Sequence, residues 1–199
     1  MDHSHALPRL RKLRAGAHVW RREAPALVKL MMAFGMAALT GVAAQVRIPL
    51  PFTPVPVTGQ VFAVLLAGIL LGGAYGGLSQ AFYLALGAAG VPWGTGLTGG
   101  MAWLAGPTGG YLVGFVAAAV LIGRVTDRSP AARRFVPQLA LLACGVAVIY
   151  LFGMAHLALN LKLGWRAAFL NGAVPFLGAD ALKVAAAAAV STVLLPKQG

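Results

Sequence analysis

The sequence predicts an all-α membrane protein: six transmembrane helices in one bundle, with Pro/Gly-rich loops on the external side. Three observations predict it. Of the 199 residues, 59% are hydrophobic, 26 more are Gly and only 10% are charged. A soluble chain of this length has no core large enough to hide that much apolar surface. Six apolar stretches recur, each near the roughly 20 residues that an upright span needs. The cations gather between those stretches, where membrane topology places them. A soluble enzyme, a soluble DNA-binding domain and a disordered tail are excluded on these grounds. The net charge of +12 does not signal nucleic acid, because it reflects only four acids, Asp2, Glu23, Asp127 and Asp180, against cations at the span ends. One cysteine, Cys144, allows neither a disulfide within the chain nor a cysteine-based zinc site.

Residues 1–25 form a basic arm ahead of a membrane domain over 26–199. Leu10, Leu13, Ala17 and Trp20 recur at helical spacing among arginines. The arm reads either as a helix lying on an anionic lipid surface or as a basic leader that only sets topology.

The first span covers 26–45. Its Ala33, Ala37 and Gly41 make a stripe of small residues suited to close helix packing, inside the bundle or against another membrane protein. Residues 46–58 follow, VRIPLPFTPVPVT, whose four prolines forbid regular helix. Spans at 58–73 and 74–90 come next, nearly continuous, with Gly72, Gly73, Gly76 and Gly77 at the turn. Residues 91–110 are broken by Gly and Pro in the same way. Irregular backbone at membrane depth is tolerated only when buried in protein or lining a cavity. Both segments therefore read as walls or a lid of an outward-facing pocket.

The remaining spans cover 107–125, 136–160 and 168–195. His156 and Asn160 lie four apart in the fifth, too few ligands for a metal site. In the sixth, Pro175 between Gly172 and Gly178 loosens the helix just before Asp180. Asp180 is the one acid within a span, and Lys183 lies about 60° round the same face. A charge at that depth costs roughly 2.5–3.5 kcal/mol on insertion scales, which marks it as functional. With six spans, both termini share a side. That side holds Arg9, Arg11, Lys12, Arg14, Arg21, Arg22, Lys29, Arg124, Arg128, Arg133, Arg134 and Lys197. The other holds Arg47, Lys162 and Arg166. Both termini are thus expected in the cytoplasm.

Other polar candidates are Gln60, Tyr83 and Tyr111, with Trp93 and Trp103. They suit a flat, partly polar ligand or an interfacial aromatic belt. Arg47 either attracts an anionic solute to the external mouth or caps the first span. No Gly-Lys phosphate loop, His-Glu-x-x-His motif or Gly-x-Ser-x-Gly elbow is present. Few ionisable groups and no nucleophile constellation favour binding over catalysis.

Pro49-Leu50-Pro51-Phe52-Thr53-Pro54-Val55-Pro56-Val57-Thr58-Gly59-Gln60 resembles the first loop of BioY, the biotin-specific substrate-binding (S) component of energy-coupling factor transporters. So do Gly87-Ala88-Ala89-Gly90-Val91-Pro92, Gly99-Gly100 and the run Gly106 to Phe115, and Asp180 with Lys183 matches the family's acid-x-x-lysine. The resemblance implies a non-enzymatic biotin transporter of the bacterial plasma (inner) membrane, with biotin as ligand and no cofactor. It implies that Asp180 accepts the ureido N–H groups and that Lys183 donates to a polar end of biotin. Gln60 and Tyr83 would supply polar and stacking contacts, and Gly99 and Gly100 would approach by backbone. Ala33, Ala37 and Gly41 would face a membrane-embedded T component coupled to ATPases. Gly59 and the Gly94-Thr95 pair stand where bulkier residues are expected. Two other readings stay in play: an S component for a different vitamin, and a stand-alone carrier coupled to protons or sodium through Asp180.

Overall fold

The computed structural model describes residues 23–195. The basic arm, except Glu23, Ala24 and Pro25, lies outside the described residues, as does Lys197. Helix α1 (Ala26–Ala43) leads into a two-stranded antiparallel ladder, β1 (Arg47–Ile48) with β2 (Val57–Thr58). Helical run α2 (Gln60–Ala88), short α3 (Met101–Ala105), α4 (Gly109–Arg128) and α5 (Phe135–Asn160) follow. Short α6 (Trp165–Gly172) and α7 (Leu177–Leu194) close the chain.

Among the described residues five runs are long and apolar enough to cross a membrane, and α2 is one of them. Within α2, however, Gly72 adopts φ 77° and ψ −178°. That backbone favours glycine, and here it reverses the chain. Gln60 Nε2 comes within 2.7 Å of the Tyr83 hydroxyl, although 23 residues of straight helix would separate them by about 35 Å. Legs 60–71 and 73–88 are therefore antiparallel, which yields six crossings. The hairpin is the most enclosed crossing, with α4 packed along it: Gly123 lies directly on the Gly72–Gly73 backbone. Leu65, Ile69, Ile122, Leu142 and Ile149 fill the core where α2, α4 and α5 meet.

Of the two readings of the Ala33, Ala37 and Gly41 stripe, the fold takes packing inside the bundle, which corrects the outward face implied by the resemblance. Ala33 and Ala37 are fully buried, and Gly41 packs against Trp93. Their small side chains let α1 approach the hairpin closely enough for Thr40 Oγ1 to reach the buried Gln80 amide at 3.3 Å. The outward face of α1 instead carries Leu27, Met31, Phe34, Leu39 and Val42. The sixth span is interrupted where Pro175 was expected to loosen it. It breaks at a 3-10 turn, Val174–Phe176, because Pro175 lacks an amide hydrogen and cannot continue the helix from Gly172.

The two Pro/Gly-rich segments close over one end of the bundle. Thr53 Oγ1 donates to the Asn171 carbonyl (2.8 Å), which straps the first segment across to the last turn of α6. Gln45 Nε2 donates to the Gly94 carbonyl (2.9 Å), and the Leu97 amide donates to Gln45 Oε1 (3.2 Å), which ties the second segment to α1. Asn160 Nδ2 donates to the Ala105 carbonyl (2.8 Å), and the His156 ring meets the Gly106 carbonyl (3.0 Å). These two residues hold the loop. No metal-ligand cluster occurs among the described residues.

Candidate substrate-binding site

The break at Pro175 restarts the chain as α7, which puts Asp180 in that helix's first turn. Unpaired amide hydrogens and the helix dipole favour a carboxylate there. Lys183, one turn on, donates from Nζ to Asp180 Oδ1 at 2.6 Å. From α5, the Tyr150 hydroxyl donates to Asp180 Oδ2 at 2.6 Å. Asp180 is 3% exposed. Each carboxylate oxygen keeps further acceptor capacity, and the lysine ammonium keeps further N–H donors. The pair thus presents an acceptor and a donor side by side with little net charge.

This cluster forms one wall of a cavity lined by α2, α4, α5, α7 and the first Pro-rich segment. Val57, Val61, Phe115, Ile149 and Phe176 make its apolar lining. Gln60 supplies a second polar wall. Its Oε1 accepts from the Thr58 hydroxyl (3.0 Å), and its Nε2 donates to the Tyr83 hydroxyl (2.7 Å). Trp103 lines the mouth of this cavity and also a wider outer cavity, shared through Pro56, Thr95 and Thr108.

The sequence-predicted residues divide. Asp180, Lys183, Gln60 and Tyr111 line the inner cavity. The Tyr111 hydroxyl is turned away to the Gly172 carbonyl (2.7 Å), so it offers its ring. Tyr83 does not line the cavity. It is fully buried behind Gln60, with its ring 5.5 Å from Trp93 and 5.6 Å from Trp103, centre to centre. Its hydroxyl meets Gln60, and its ring packs against Trp103. Arg47 and Gly99 line the outer cavity. Gly100 lines neither cavity. Its amide is committed to the Gly87 carbonyl (2.7 Å), where it anchors the loop to α2. Tyr150 and Trp103 are functional candidates that sequence reasoning undervalued. Nothing in the spacing of α5 tied Tyr150 to an acid 30 residues away.

The comparisons with known proteins agree with this architecture. The BioY family model matches residues 15–197, which extends into the basic arm. A "Probable biotin transporter BioY" of Methanothermobacter thermautotrophicus is 40% identical over 141 residues, 67% of this chain and 89% of that one. The "Biotin transporter BioY" of Thermotoga maritima is 40% identical over 154 residues, 77% of this chain and 88% of its own. A 2.1 Å crystal structure of the S-component for biotin from an ECF-type ABC transporter superposes with a TM-score of 0.78. Its identity is 27%, covering 87% of this chain and 93% of that one. These relatives are named as transporters and not as enzymes, and the apolar crossings make the present chain a multi-pass membrane protein. With a family match over nearly its whole length and the same architecture, the chain belongs to the BioY family.

Proposed function

We propose that this chain captures biotin from outside the plasma membrane and works as the S component of an energy-coupling factor transporter. A membrane T component and ATPase subunits would supply the energy. The observation that carries the reading is the Asp180–Lys183–Tyr150 cluster in an otherwise apolar cavity. A cyclic urea has two N–H donors and a carbonyl acceptor. Asp180 offers the acceptors and Lys183 the donors, while Phe115, Ile149 and Phe176 suit the apolar ring system. Leaving such groups unpaired in a dry pocket costs about 1–3 kcal/mol each, so analogues without the urea are rejected. The reading needs no cofactor and no nucleic acid. It places both termini in the cytoplasm by the distribution of lysine and arginine, with lipid around the helices.

The test is a calorimetric titration of the detergent-purified chain with biotin, after any co-purified biotin has been removed. Tight one-to-one binding is expected. A folded, ligand-free sample that takes up no biotin overturns the reading. Uptake in cells with and without the T component and ATPases then identifies the energy source, and uptake that ignores their loss points to a stand-alone carrier.

A further inference from the structure

We propose that Arg47 is the outer anchor of the binding site and holds the ligand's terminal carboxylate at the external mouth. The proposal rests on the biotin reading and deepens it. It assigns an orientation, with the cyclic urea inward at Asp180 and Lys183 and the acid tail outward.

Register carries the argument first. In the β1–β2 ladder Arg47 stands directly opposite Thr58. Opposed residues of an antiparallel pair share a face, with Cβ atoms about 4.5–5.5 Å apart. Thr58 lines the inner cavity and bonds Gln60. The ladder therefore ties the arginine to the wall of the inner site, and its side chain lines the outer cavity. Pro56, Thr95, Trp103 and Thr108 are common to both cavities. A ligand longer than the inner cavity has one continuous way out, past Trp103 and towards Arg47.

Charge carries it second. Among the described residues the Arg47 side chain makes no ion pair or hydrogen bond. Of the three acids described, Asp180 is joined to Lys183, Asp127 sits at the Gly72–Gly73 turn, and Glu23 precedes α1, the whole helix away from Arg47. A guanidinium fork matches a carboxylate in two-point geometry. Gly96 seats it: the residue has φ 75°, and a Cβ there would fall 3.0 Å from the guanidinium carbon. With the acid tail held by Arg47, the spare N–H groups of Lys183 are left for the urea carbonyl.

The experiment compares two probes, biotin and its uncharged primary amide, on the purified chain and on Arg47→Gln. The expected result is about tenfold weaker biotin binding in the variant, the lower end for a hydrogen bond to a charged group because the site is solvated. Binding of the amide is expected to change less than twofold. Gly96→Ala, which displaces the guanidinium without removing it, is expected to reproduce the biotin-selective loss. Equal losses for both probes, or none for either, overturn the anchor and leave the biotin reading standing. An unmodified chain that binds neither probe removes the biotin reading itself, and the anchor with it.

Discussion

Asp180 and Asp127 are the same side chain at opposite ends of one bundle, and they do different work. Asp180 lies where α7 begins. Both its oxygens are held by side-chain donors, and it faces a cavity. Asp127 lies where α4 ends. Its Oδ2 accepts the Gly73 amide (3.3 Å) beside the reversed backbone of Gly72. One carboxylate is held by side chains at a cavity wall, and the other meets the backbone of a turn. The difference teaches that an acid in a membrane bundle is read from what it faces. An acid held against an apolar cavity by side-chain donors has capacity to spare for a guest, whereas one placed on a backbone amide serves the fold.

The contrast breaks most readily at Asp180. Asp180→Asn keeps the volume but removes the charge that Lys183 and Tyr150 were placed to meet. Biotin affinity is expected to fall by about 1–3 kcal/mol, with helix content and elution unchanged. Unchanged affinity in a folded variant removes Asp180 from the site. Gly72→Ala addresses the other end. A side chain at positive φ costs about 1–3 kcal/mol, and here it also meets the Asp127 carboxylate. The thermal midpoint is expected to drop, while the folded fraction binds biotin as before. If affinity falls in proportion, the two ends are coupled and the comparison fails.

Tyr150→Phe sharpens the account of the binding end. It removes one donor from Asp180 Oδ2 and leaves the ring. About 1 kcal/mol of affinity, roughly fivefold, is expected to be lost by titration. The smallest effect belongs to Asp127→Asn. Asp127 lies at the Gly72–Gly73 turn, away from the cavity that Asp180 lines, so biotin affinity is expected to stay within about twofold. An affinity loss as large as that of Asp180→Asn would erase the distinction.

Much of this architecture was legible in the sequence because membrane spans are written in local composition. The crossings, the Gly72 turn and the two irregular external segments all came from runs of adjacent residues. The Asp180–Lys183 pair was legible for the same reason, since a separation of three residues brings side chains together on any helix. The stripe of Ala33, Ala37 and Gly41 was legible only as a packing surface. Small residues permit close approach to any helix, and composition does not name the neighbour. Tyr83 and Gly100 were assigned to the ligand by the family resemblance; the fold pairs the Tyr83 hydroxyl with Gln60 and Trp93 and the Gly100 amide with Gly87.

By itself the sequence determined that this chain is a six-crossing membrane bundle, that its external segments cannot be regular helix, and that an acid–lysine pair lies in its last span. Each rests on the hydrophobicity, backbone limits or helical spacing of neighbouring residues. Only the tertiary structure decided that Tyr150 completes the Asp180 cluster, that the α1 stripe is buried, and that Arg47 stands opposite Thr58. Those facts join residues distant along the chain, or helices whose rotation is set by packing. Such contacts exist only once the loops have closed and each helix has turned one face to its neighbours.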